Sequence, residues 1–362
     1  MKIWFAVCMP SSSVGGVARN TRELSSGLSR LGHQCTVIDA GSAPCNFLAF
    51  SFRLLLLFAF KIGQKPDWII GRSTDAVWCA AFARLFHLKT RTALHSHGWE
   101  EKVYEAEQRL PKACAAEGPA TTWKARAIRF PLLRLTAAFG DAIFCGTIEE
   151  ARWLARRHPA TKGKIVCIPN GVAARPGLYW TWQTTPAIKF CAVGNITWKK
   201  NIAHAVRIFR IVKKTIPTAT LTVVGSSMQE LILATGFGSL DGVRAVVREN
   251  PEDMAKRYGE SPFFMSTSLY EGGRSLAILE AMSFGCVVFA SPIPSSIEFV
   301  KDRHNGIIVP SLSAEEDAAI VVSCVRSPAL CAEVGRNAFR FSARQSWERQ
   351  VGRLEKVLCN RR

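Results

Sequence analysis

The stretch SLYEGGRSLAILEAMSFG, residues 268–285, decides the fold class of this chain. It follows a short apolar run, Phe263–Thr267, which has the length of a buried strand, and its second half has the apolar spacing of a helix. A strand that leads through a glycine-rich loop into a helix is the repeating unit of parallel α/β sheets. Free backbone N–H groups at the helix start, near Arg274, Ser275 and Leu276, favour a bound phosphate.

Two carboxylates bracket this loop. Glu271 precedes it, and Glu280 lies one to two turns inside the helix. An anion site with a carboxylate at each end suits a hydroxyl-rich ligand that carries a diphosphate between two sugars, because carboxylate oxygens accept hydrogen bonds from hydroxyl groups. A purely structural origin of the loop and both carboxylates is the alternative.

The order of strand, loop and helix recurs along the whole chain, and this pattern predicts α/β domains with parallel sheets. The predicted strands are Lys2–Cys8, Gln34–Ile38, Trp68–Gly71, Arg91–His95, Ala142–Cys145, Ile165–Ile168, Ile188–Val193, Ala219–Val224, Val243–Val247, Phe263–Thr267, Val287–Ala290 and Gly306–Val309. Ligands of such domains bind at the carboxyl ends of the strands, so we expect a site in a cleft between two domains.

A segment without periodicity, Asn170–Pro186, is rich in Gly, Pro and Thr and is interpreted as a linker. We therefore expect a first domain at 1–172, a linker at 173–187 and a second domain at 188–345. Residues 346–362 are expected to form a final helix that is a candidate for returning to the first domain.

Composition and charge restrict the class of protein. The 362 residues, 48% of them apolar, suit about two domains. The 47 Lys and Arg residues exceed the 28 Asp and Glu residues, and the net charge of +19 excludes an acidic, self-solvating chain. Three polyanionic partners remain: nucleic acid, an anionic membrane surface, and a phosphorylated small molecule or glycolipid. The excess is heavier in the first half of the chain.

Twelve cysteines are scattered along the chain, without a CxxC pair or a metal-ligand spacing. Several, such as Cys8, Cys191 and Cys286, lie in apolar runs. We interpret them as buried small apolar residues of a protein in a reducing compartment. The first residues have no small-residue cleavage site after their apolar run, so a first strand is preferred to a signal peptide.

Two segments of the first half suit a lipid surface. Phe47–Phe60 is 14 residues long and contains Arg53, whereas a bilayer span needs roughly 20 apolar residues. It is either a core helix or a monotopic helix in the headgroup region. Trp123–Leu135 carries four cations and is interrupted by Pro131. It is either a solvated helix or a patch for a membrane surface or an acceptor phosphate.

Three further strand-to-helix loops carry candidate functional residues. They are Val14–Val17 with Gly15 and Gly16, His95–Glu100 with His97, and Gly194–Asn201 with Asn195 and Lys200. Paired glycines let the backbone approach a ligand, although a Gly-Gly turn before a helix is more often structural. The two histidines lack a third ligand at metal-binding spacing, so contact with a substrate is preferred. Lysines at a helix start oppose its dipole unless an anion binds there, and two solvated lysines are the alternative.

These loops resemble, in the same order, the sequence blocks of retaining glycosyltransferases of family 4. The blocks are GGVARNTREL (15–24), HGWE (97–100), IPNGV (168–172), VGNITWKKN (193–201), YEGG…LEAMSFG (270–285) and NGIIVP (305–310). The resemblance implies the GT-B fold, with two Rossmann-like α/β/α domains facing a central cleft. It also implies transfer of a sugar from a nucleotide-diphosphate sugar, with UDP or GDP as the expected nucleotide. The transfer is expected to retain the configuration of the anomeric carbon and to need no metal or other cofactor.

The same resemblance assigns roles to residues. The Gly15–Gly16 pair would donate N–H groups to the donor phosphate or the acceptor, and His97 would lie near the transferred sugar. Lys200 would pair with the diphosphate and Glu280 would accept hydrogen bonds from the ribose hydroxyls. Glu271 would hold hydroxyls of the transferred sugar. In a front-face mechanism the departing phosphate oxygen deprotonates the acceptor, so catalysis rests on positioning and on neutralising the diphosphate.

Two positions depart from the family pattern. Eight residues separate Glu271 from Glu280, where the family has seven, and Asn195 stands where the family has an arginine. We hypothesise that Arg274 supplies the missing guanidinium from the opposite side of the diphosphate. The alternative is that the extra residue displaces Glu271 and weakens or retargets the activity.

The expected protein is therefore a cytoplasmic glycosyltransferase, peripheral to the inner face of the cytoplasmic membrane, that acts on a glycan, lipopolysaccharide or lipid-linked acceptor in polysaccharide assembly. A GT-B protein that binds a sugar nucleotide with weak or no turnover is the main alternative. An inverting enzyme would need a general base, for which His97 is the candidate. A nucleic-acid-binding protein would need aromatic residues within a basic stripe, and the sequence has neither such a stripe nor a known binding motif.

Overall fold

The computed structural model describes residues 1–10, 13, 15–41, 46–61, 65–110, 122–175, 177, 180, 187–247, 250–310 and 313–361. The chain divides into two compact units. Unit 1 consists of Met1–Glu105, Thr121–Asn170 and Trp347–Arg362, and unit 2 consists of Ala106–Ala120 and Gly171–Ser346. Much of the expected linker (176, 178–179 and 181–186) lies outside the described residues, as do Val14 and the side chain of Lys124.

The secondary structure alternates regularly between strands and helices. The strands are β1 Lys2–Val7, β2 Gln34–Asp39, β3 Trp68–Arg72, β4 Arg91–His95, β5 Ala142–Cys145, β6 Ile165–Cys167, β7 Lys189–Val193, β8 Thr220–Val224, β9 Val243–Val246, β10 Phe263–Ser266, β11 Val287–Ala290 and β12 Ile307–Ile308. The helices are α1 Gly16–Arg30, α2 Phe47–Ala59, α3 Val77–Leu85, α4 Glu100–Gln108, α5 Trp123–Phe139, α6 Ile148–Arg157, α7 Ile202–Thr215, α8 Met228–Thr235, α9 Pro251–Glu260, α10 Leu276–Ser283, α11 Pro294–Ile297, α12 Ala314–Val325, α13 Pro328–Ala343 and α14 Trp347–Asn360.

Within the described residues, unit 1 holds a parallel sheet of six strands in the order β2-β1-β3-β4-β5-β6. Strand β1 is buried from Ile3 to Val7, as expected for a parallel strand that is covered on both faces. Trp4 packs in one cluster with Phe50, Leu54 and Phe58 of α2. Helix α2 therefore packs on the sheet through an apolar cluster, and a second cluster, around Leu94, Leu133 and Ile143, joins the sheet to α5.

The last helix, α14, packs against α1 in unit 1. A Cβ atom on Gly27 of α1 would lie 2.4 Å from Val351 Cγ2, which is closer than side chains allow. Glycine at this position therefore lets α14 approach α1 closely.

Helix α5 runs from Trp123 to Phe139 through Pro131. The sequence-based expectation that Pro131 interrupts this helix is wrong. A proline removes one hydrogen bond, here to the carbonyl of Ala127, and both residues are exposed, so water can take the place of the missing donor.

Within the described residues, unit 2 holds a second parallel six-stranded sheet, in the order β12-β11-β10-β7-β8-β9. The rings of Phe190, Phe263 and Phe289, from the three central strands, lie 5.3–6.3 Å apart and form the middle of the core. The prediction of two α/β domains with parallel sheets is confirmed by the two sheets.

The direction of the strand order reverses once in each sheet, between β1 and β3 in unit 1 and between β7 and β10 in unit 2. The carboxyl ends of the strands at such a switch point are where open α/β sheets bind ligands. A ligand site is therefore expected at these two places.

Cys8 is disulfide-bonded, so its interpretation as a free buried cysteine is wrong. A sequence does not show which cysteines are close in space.

Among the described helices, none is long and apolar enough to cross a bilayer alone. Helices α12 and α13, bent by 94° relative to each other, pass that test of length and composition only as a pair.

Candidate active site

The switch point of unit 2 brings two of the predicted loops together. Strands β7 and β10 are parallel neighbours, so the loops that follow them, 194–201 and 267–275, start side by side. Leu269 N donates to the carbonyl of Lys199 at 2.8 Å, and Thr267 Oγ1 donates to the carbonyl of Asn201 at 2.8 Å. These bonds fix the two loops against each other.

Lys200 and Glu271 form an ion pair across the two loops. Lys200 Nζ lies 2.6 Å from Glu271 Oε1, and Ser268 Oγ donates to the same oxygen at 2.8 Å. The second carboxylate oxygen, Oε2, has no hydrogen bond to any residue that the structure describes. Glu271 is therefore anchored through one oxygen, and its other oxygen can accept a hydrogen bond from a ligand.

Two glycines set the position of Lys200. A Cβ on Gly194 would lie 3.0 Å from Lys200 Cγ and 3.1 Å from Lys200 Cβ, so the lysine stem packs directly on the Gly194 backbone. Gly225 has a φ of +109°, and a Cβ there would lie 2.8 Å from the carbonyl carbon of Gly194. Any larger residue at Gly225 would displace the loop, a constraint that the sequence pattern does not reveal.

Glu280 is oriented by a buried tyrosine that the sequence reasoning missed. Tyr258 Oη, from α9, donates to Glu280 Oε2 at 2.9 Å. Burial, together with the charge of Glu280, raises the pKa of Tyr258 well above its usual value. The phenol therefore stays protonated and acts as a hydrogen-bond donor to the carboxylate.

The two helices that begin at this switch point lack a cap from their own side chains. Ser275, before α10, makes no side-chain cap, and Asn201, before α7, has a φ of 47° and makes none either. Three other helices of unit 2 are capped by their own residues, Ser227, Asn250 and Ser313, whereas α11 and α13 also begin without a side-chain cap. The first N–H groups of α7 and α10, including that of Leu276, lie at positive dipole ends, which favour a bound anion.

Arg274 lies in the same loop, and its guanidinium contacts other groups of unit 2. Its Nη1 donates to Gln345 Oε1 at 2.8 Å, and its Nη2 lies 3.5 Å from Glu298 Oε1. Asn195, in the loop after β7, where the family has an arginine, is exposed. The proposed contact of Arg274 with a diphosphate stays a prediction.

In unit 1 the loop with His97 is held by a buried carboxylate. Glu150 Oε1 accepts from Ser96 Oγ and from Trp99 N, both at 2.7 Å. Burial raises the pKa of Glu150, which these donors partly oppose. The residues on both sides of His97 are therefore fixed by one acceptor, which sequence reasoning did not identify.

His97 stacks near His95, with ring centroids 4.5 Å apart. Burial lowers the pKa of His95 to about 4. Burial, and then the nearby His95 and Arg72, lowers the pKa of His97 well below its usual value. Both imidazoles are neutral near pH 7, so His97 can donate or accept a hydrogen bond without carrying a charge.

The switch point of unit 1 contains Asp75, also missed in the sequence. It is buried and accepts from Cys8 N at 2.8 Å. Burial raises its pKa to about 7. Gly15 precedes α1 without a side-chain cap, and both Gly15 and Gly16 are exposed. Their proposed contact with a ligand stays a prediction.

In the part of the chain that the structure describes, no three His, Cys, Asp or Glu residues are grouped so that they could hold a metal ion.

The residues predicted for the donor are divided between the two units. Lys200, Glu271, Ser275, Leu276 and Glu280 belong to unit 2, where Lys200 contacts Glu271, whereas the two glycines and His97 belong to unit 1.

Comparison with known proteins identifies the family. The family model described as Glycosyltransferase Family 4 matches residues 14–175, and that described as Glycosyl transferases group 1 matches residues 183–341, so together they span most of the chain. The chain is a glycosyltransferase of the GT-B type. The prediction of an enzyme of this family is confirmed.

This GT-B glycosyltransferase is 24% identical over 174 residues to the uncharacterized glycosyltransferase MJ1069 of Methanocaldococcus jannaschii, a match that covers 47% of this chain and 44% of that protein. It is 27% identical over 143 residues to the amylovoran biosynthesis glycosyltransferase AmsK of Erwinia amylovora, covering 37% of this chain and 35% of AmsK. The matched region thus spans less than half the length of these relatives.

Among solved structures, Anabaena HepE in complex with UDP and glucose has the same fold. The two align with a TM-score of 0.69 at 15% identity, over 99% of this chain and 100% of HepE. At this identity the likeness concerns the fold of the glycosyltransferase alone.

Proposed function

We propose that this glycosyltransferase moves a sugar from a nucleotide-diphosphate sugar to a glycan, lipopolysaccharide or lipid-linked acceptor, with retention at the anomeric carbon and without a metal ion. The observation that carries the proposal is the Lys200–Glu271 pair beside the uncapped starts of α7 and α10. A cation and two positive helix ends suit a diphosphate, and the open oxygen of Glu271 suits a sugar hydroxyl.

The donor proposed first is a UDP sugar, with GDP sugars second. HepE, whose structure contains UDP and glucose, has the same fold, which supports a uridine nucleotide. Glu280 is proposed to accept hydrogen bonds from the two ribose hydroxyls, since Tyr258 already holds one of its oxygens in place.

In the proposed reaction the bond between the anomeric carbon and the donor phosphate oxygen breaks, and a bond from the same face to the acceptor oxygen forms. The acceptor proton passes to the departing phosphate oxygen. Lys200 has three N–H donors, so it can keep Glu271 and also bind a phosphate oxygen. The work of the protein in this scheme is to position the sugar and to neutralise the leaving diphosphate.

The acceptor is proposed from family association, supported by the involvement of AmsK in amylovoran biosynthesis. A polysaccharide intermediate carried on lipid would place the reaction at the cytoplasmic face of the membrane. The exposed apolar and basic residues on the helices of unit 1 support this location.

A second candidate function is binding of a sugar nucleotide with weak turnover or none. Two observations favour it: Arg274 already contacts Glu298 and Gln345, and Asn195 supplies no charge. In that case a ligand would bind at the switch point of unit 2, but the leaving diphosphate would lack one cation.

The test is incubation of the full chain with UDP, GDP, CDP and ADP sugars in the presence and absence of lipid-linked acceptors. Release of one nucleoside diphosphate that depends on Lys200 supports the enzyme. Binding without release supports the second candidate. The coupling constant of the anomeric proton in the product then decides the stereochemistry, and inversion would contradict the retaining assignment and point to His97 as a base.

A further inference from the structure

We infer that the C-terminal ends of α2, α3 and α5 in unit 1 form a docking surface for a bilayer of anionic lipids. The inference rests on the proposed function and deepens it, because it names the surface that would hold the enzyme on a membrane of the kind that carries lipid-linked acceptors. Its evidence is independent of the donor site: it comes from the exposure, charge and shape of this part of unit 1.

Helix α2 is apolar on both faces. Phe50, Leu54 and Phe58 are buried in the core of unit 1. On the opposite face Phe52 is 55% exposed, and Phe60 at the end of the helix is 77% exposed. A surface helix of a soluble domain normally turns polar residues outward. Packing in the core therefore explains why the buried face of α2 is apolar. The apolar residues on its exposed face indicate a further binding partner.

The neighbouring helices extend this apolar face. Helix α3 lies between α2 and α5 and contacts both. At its end, Leu85 is 73% exposed and Phe86 is 57% exposed, and on α5 Leu135 and Phe139 are exposed. In a parallel α/β unit each helix runs back against the strands, so the three helix ends lie at the same edge of the sheet.

Exposed large apolar residues are concentrated here. Of the fifteen among the described residues, ten lie on these three helices or directly at their ends. Near the C-terminal end of a helix or directly after it lie Leu56, Leu57, Phe60, Leu85, Phe86, Leu135 and Phe139, and further from that end lie Phe52, Trp123 and Ile128. Single exposed apolar residues need no explanation, but several at neighbouring helix ends are typical of an interaction site.

The charge of this surface identifies an anionic partner. None of the three helices contains an acidic residue. Arg53, Arg84 and Lys89 form no ion pair within the described part of the chain, whereas Arg129 and Arg134 of α5 are paired with Glu100 and Glu101. Unpaired cations among exposed aromatic and aliphatic residues match the interface of a bilayer with acidic headgroups.

A cavity of about 800 Å³ opens between the ends of α3 and α5 at the same edge. Its cationic lining comes from Arg84, Lys89 and Arg91. The two carboxylates in the lining already accept backbone N–H groups, Asp67 from Lys2 and Asp141 from Thr92. The cavity therefore suits a phosphate headgroup, with Leu85 and Phe86 beside it to enter the acyl region.

Docking in this way leaves the opposite edge of the sheet uncovered. His97 follows the carboxyl end of β4, whereas the cavity lies at the amino ends of β3 and β4. The surface can therefore contact a membrane without covering the carboxyl edge of unit 1.

The test is flotation of the full chain with vesicles of phosphatidylcholine alone and of phosphatidylcholine mixed with phosphatidylglycerol. We expect binding to the mixed vesicles only, weakened by salt. The double variant Phe60→Ser, Phe86→Ser should reduce the partition coefficient at least about tenfold, and Lys89→Glu at least about fivefold, since each cation near the surface contributes about that factor. Leu233→Ser, an equally exposed position in unit 2, and Lys214→Glu are the matched controls and should bind like the wild type.

Equal binding to neutral and mixed vesicles, no binding, or equal loss in the controls would overturn the inference. Dimerisation through this surface without flotation would assign it to a second copy of the chain and also overturn it. The same variants are tested for stabilisation by nucleoside diphosphates. Variants that lose flotation but still bind nucleotide would support the docking surface and leave the donor site unaffected. A wild type that binds no nucleotide would contradict the proposed function and leave the docking surface unaffected.

Discussion

Lys200 Nζ and Glu271 Oε1 are 2.6 Å apart, although 71 positions separate these residues in the sequence. The contact exists because β7 and β10 are adjacent in the sheet and because the loop after β10 is hydrogen-bonded to the carbonyl of Lys199. The pair therefore places a cation and a carboxylate at one switch point.

Glu271→Gln should lower turnover by about a hundredfold to a thousandfold, because a preorganised contact with the transferred sugar is lost. The variant keeps the size of the side chain and its contact with Ser268. Steady-state kinetics with the preferred donor measure the effect, with Glu315→Gln, at an exposed position of α12, as the control. Turnover within threefold of the wild type in a correctly folded variant would remove Glu271 from the catalytic site.

Tyr258→Phe should weaken binding of the nucleoside diphosphate by about threefold to tenfold, because Glu280 loses a hydrogen bond worth about 0.5–1.5 kcal/mol. Turnover at saturating donor should change less than affinity. Isothermal titration calorimetry measures the dissociation constant. An unchanged constant would mean that Glu280 does not contact the nucleotide.

Arg274→Ala should raise the donor Michaelis constant and lower turnover, because a charge-assisted contact worth roughly 1.5–3 kcal/mol is lost. Glu298→Gln is the comparison, since it removes the ion-pair partner of Arg274 but leaves the guanidinium in place. Kinetic constants within twofold of the wild type for Arg274→Ala, with only a lower melting temperature, would show that Arg274 is a structural residue of unit 2.

The stability of the protein should fall in mild acid because of His95. Its pKa is about 4 in the folded protein, against an ordinary value of 6.5. As the pH decreases from 6.5 to 4, the unfolded chain takes up a proton that folded His95 does not, so this residue lowers the free energy of unfolding by up to about 1.4 kcal/mol per pH unit. Above pH 6.5 it contributes no slope.

Chemical denaturation of the wild type and of His95→Gln between pH 4 and pH 8 checks this expectation. The difference in free energy of unfolding should be constant above about pH 6.5 and should change in favour of the variant below it. Parallel curves over the whole range would mean that His95 is not buried in its neutral form.

The fold could be predicted from the sequence to a large extent because its signals are local. The structure gives β4 and β5 the predicted bounds, and α1 starts one residue before the predicted Val17. The two errors concern effects that depend on surroundings: Pro131 is tolerated inside α5 at an exposed position, and Cys8 is disulfide-bonded.

The site could be predicted only in part. The pattern of each loop identifies Lys200 and Glu271 one at a time. The ion pair between them depends on the strand order, which no local pattern encodes. Tyr258 could not be found, because nothing in α9 distinguishes it from a core residue. The sequence also does not show that one face of α2 is exposed, because a helix that is apolar all round has the same pattern whether one face or both faces are buried.

The most direct measurement of the central claim is thermal unfolding of the full chain with UDP, GDP, CDP and ADP, for the wild type, Lys200→Ala and the control Lys214→Ala. A ligand at a hundred times its dissociation constant stabilises the folded protein by about 2.7 kcal/mol. We predict that one nucleoside diphosphate, UDP first, raises the melting temperature of the wild type and of Lys214→Ala and has little effect on Lys200→Ala. No stabilisation by any of the four, or an equal shift in Lys200→Ala, would contradict a diphosphate site at Lys200.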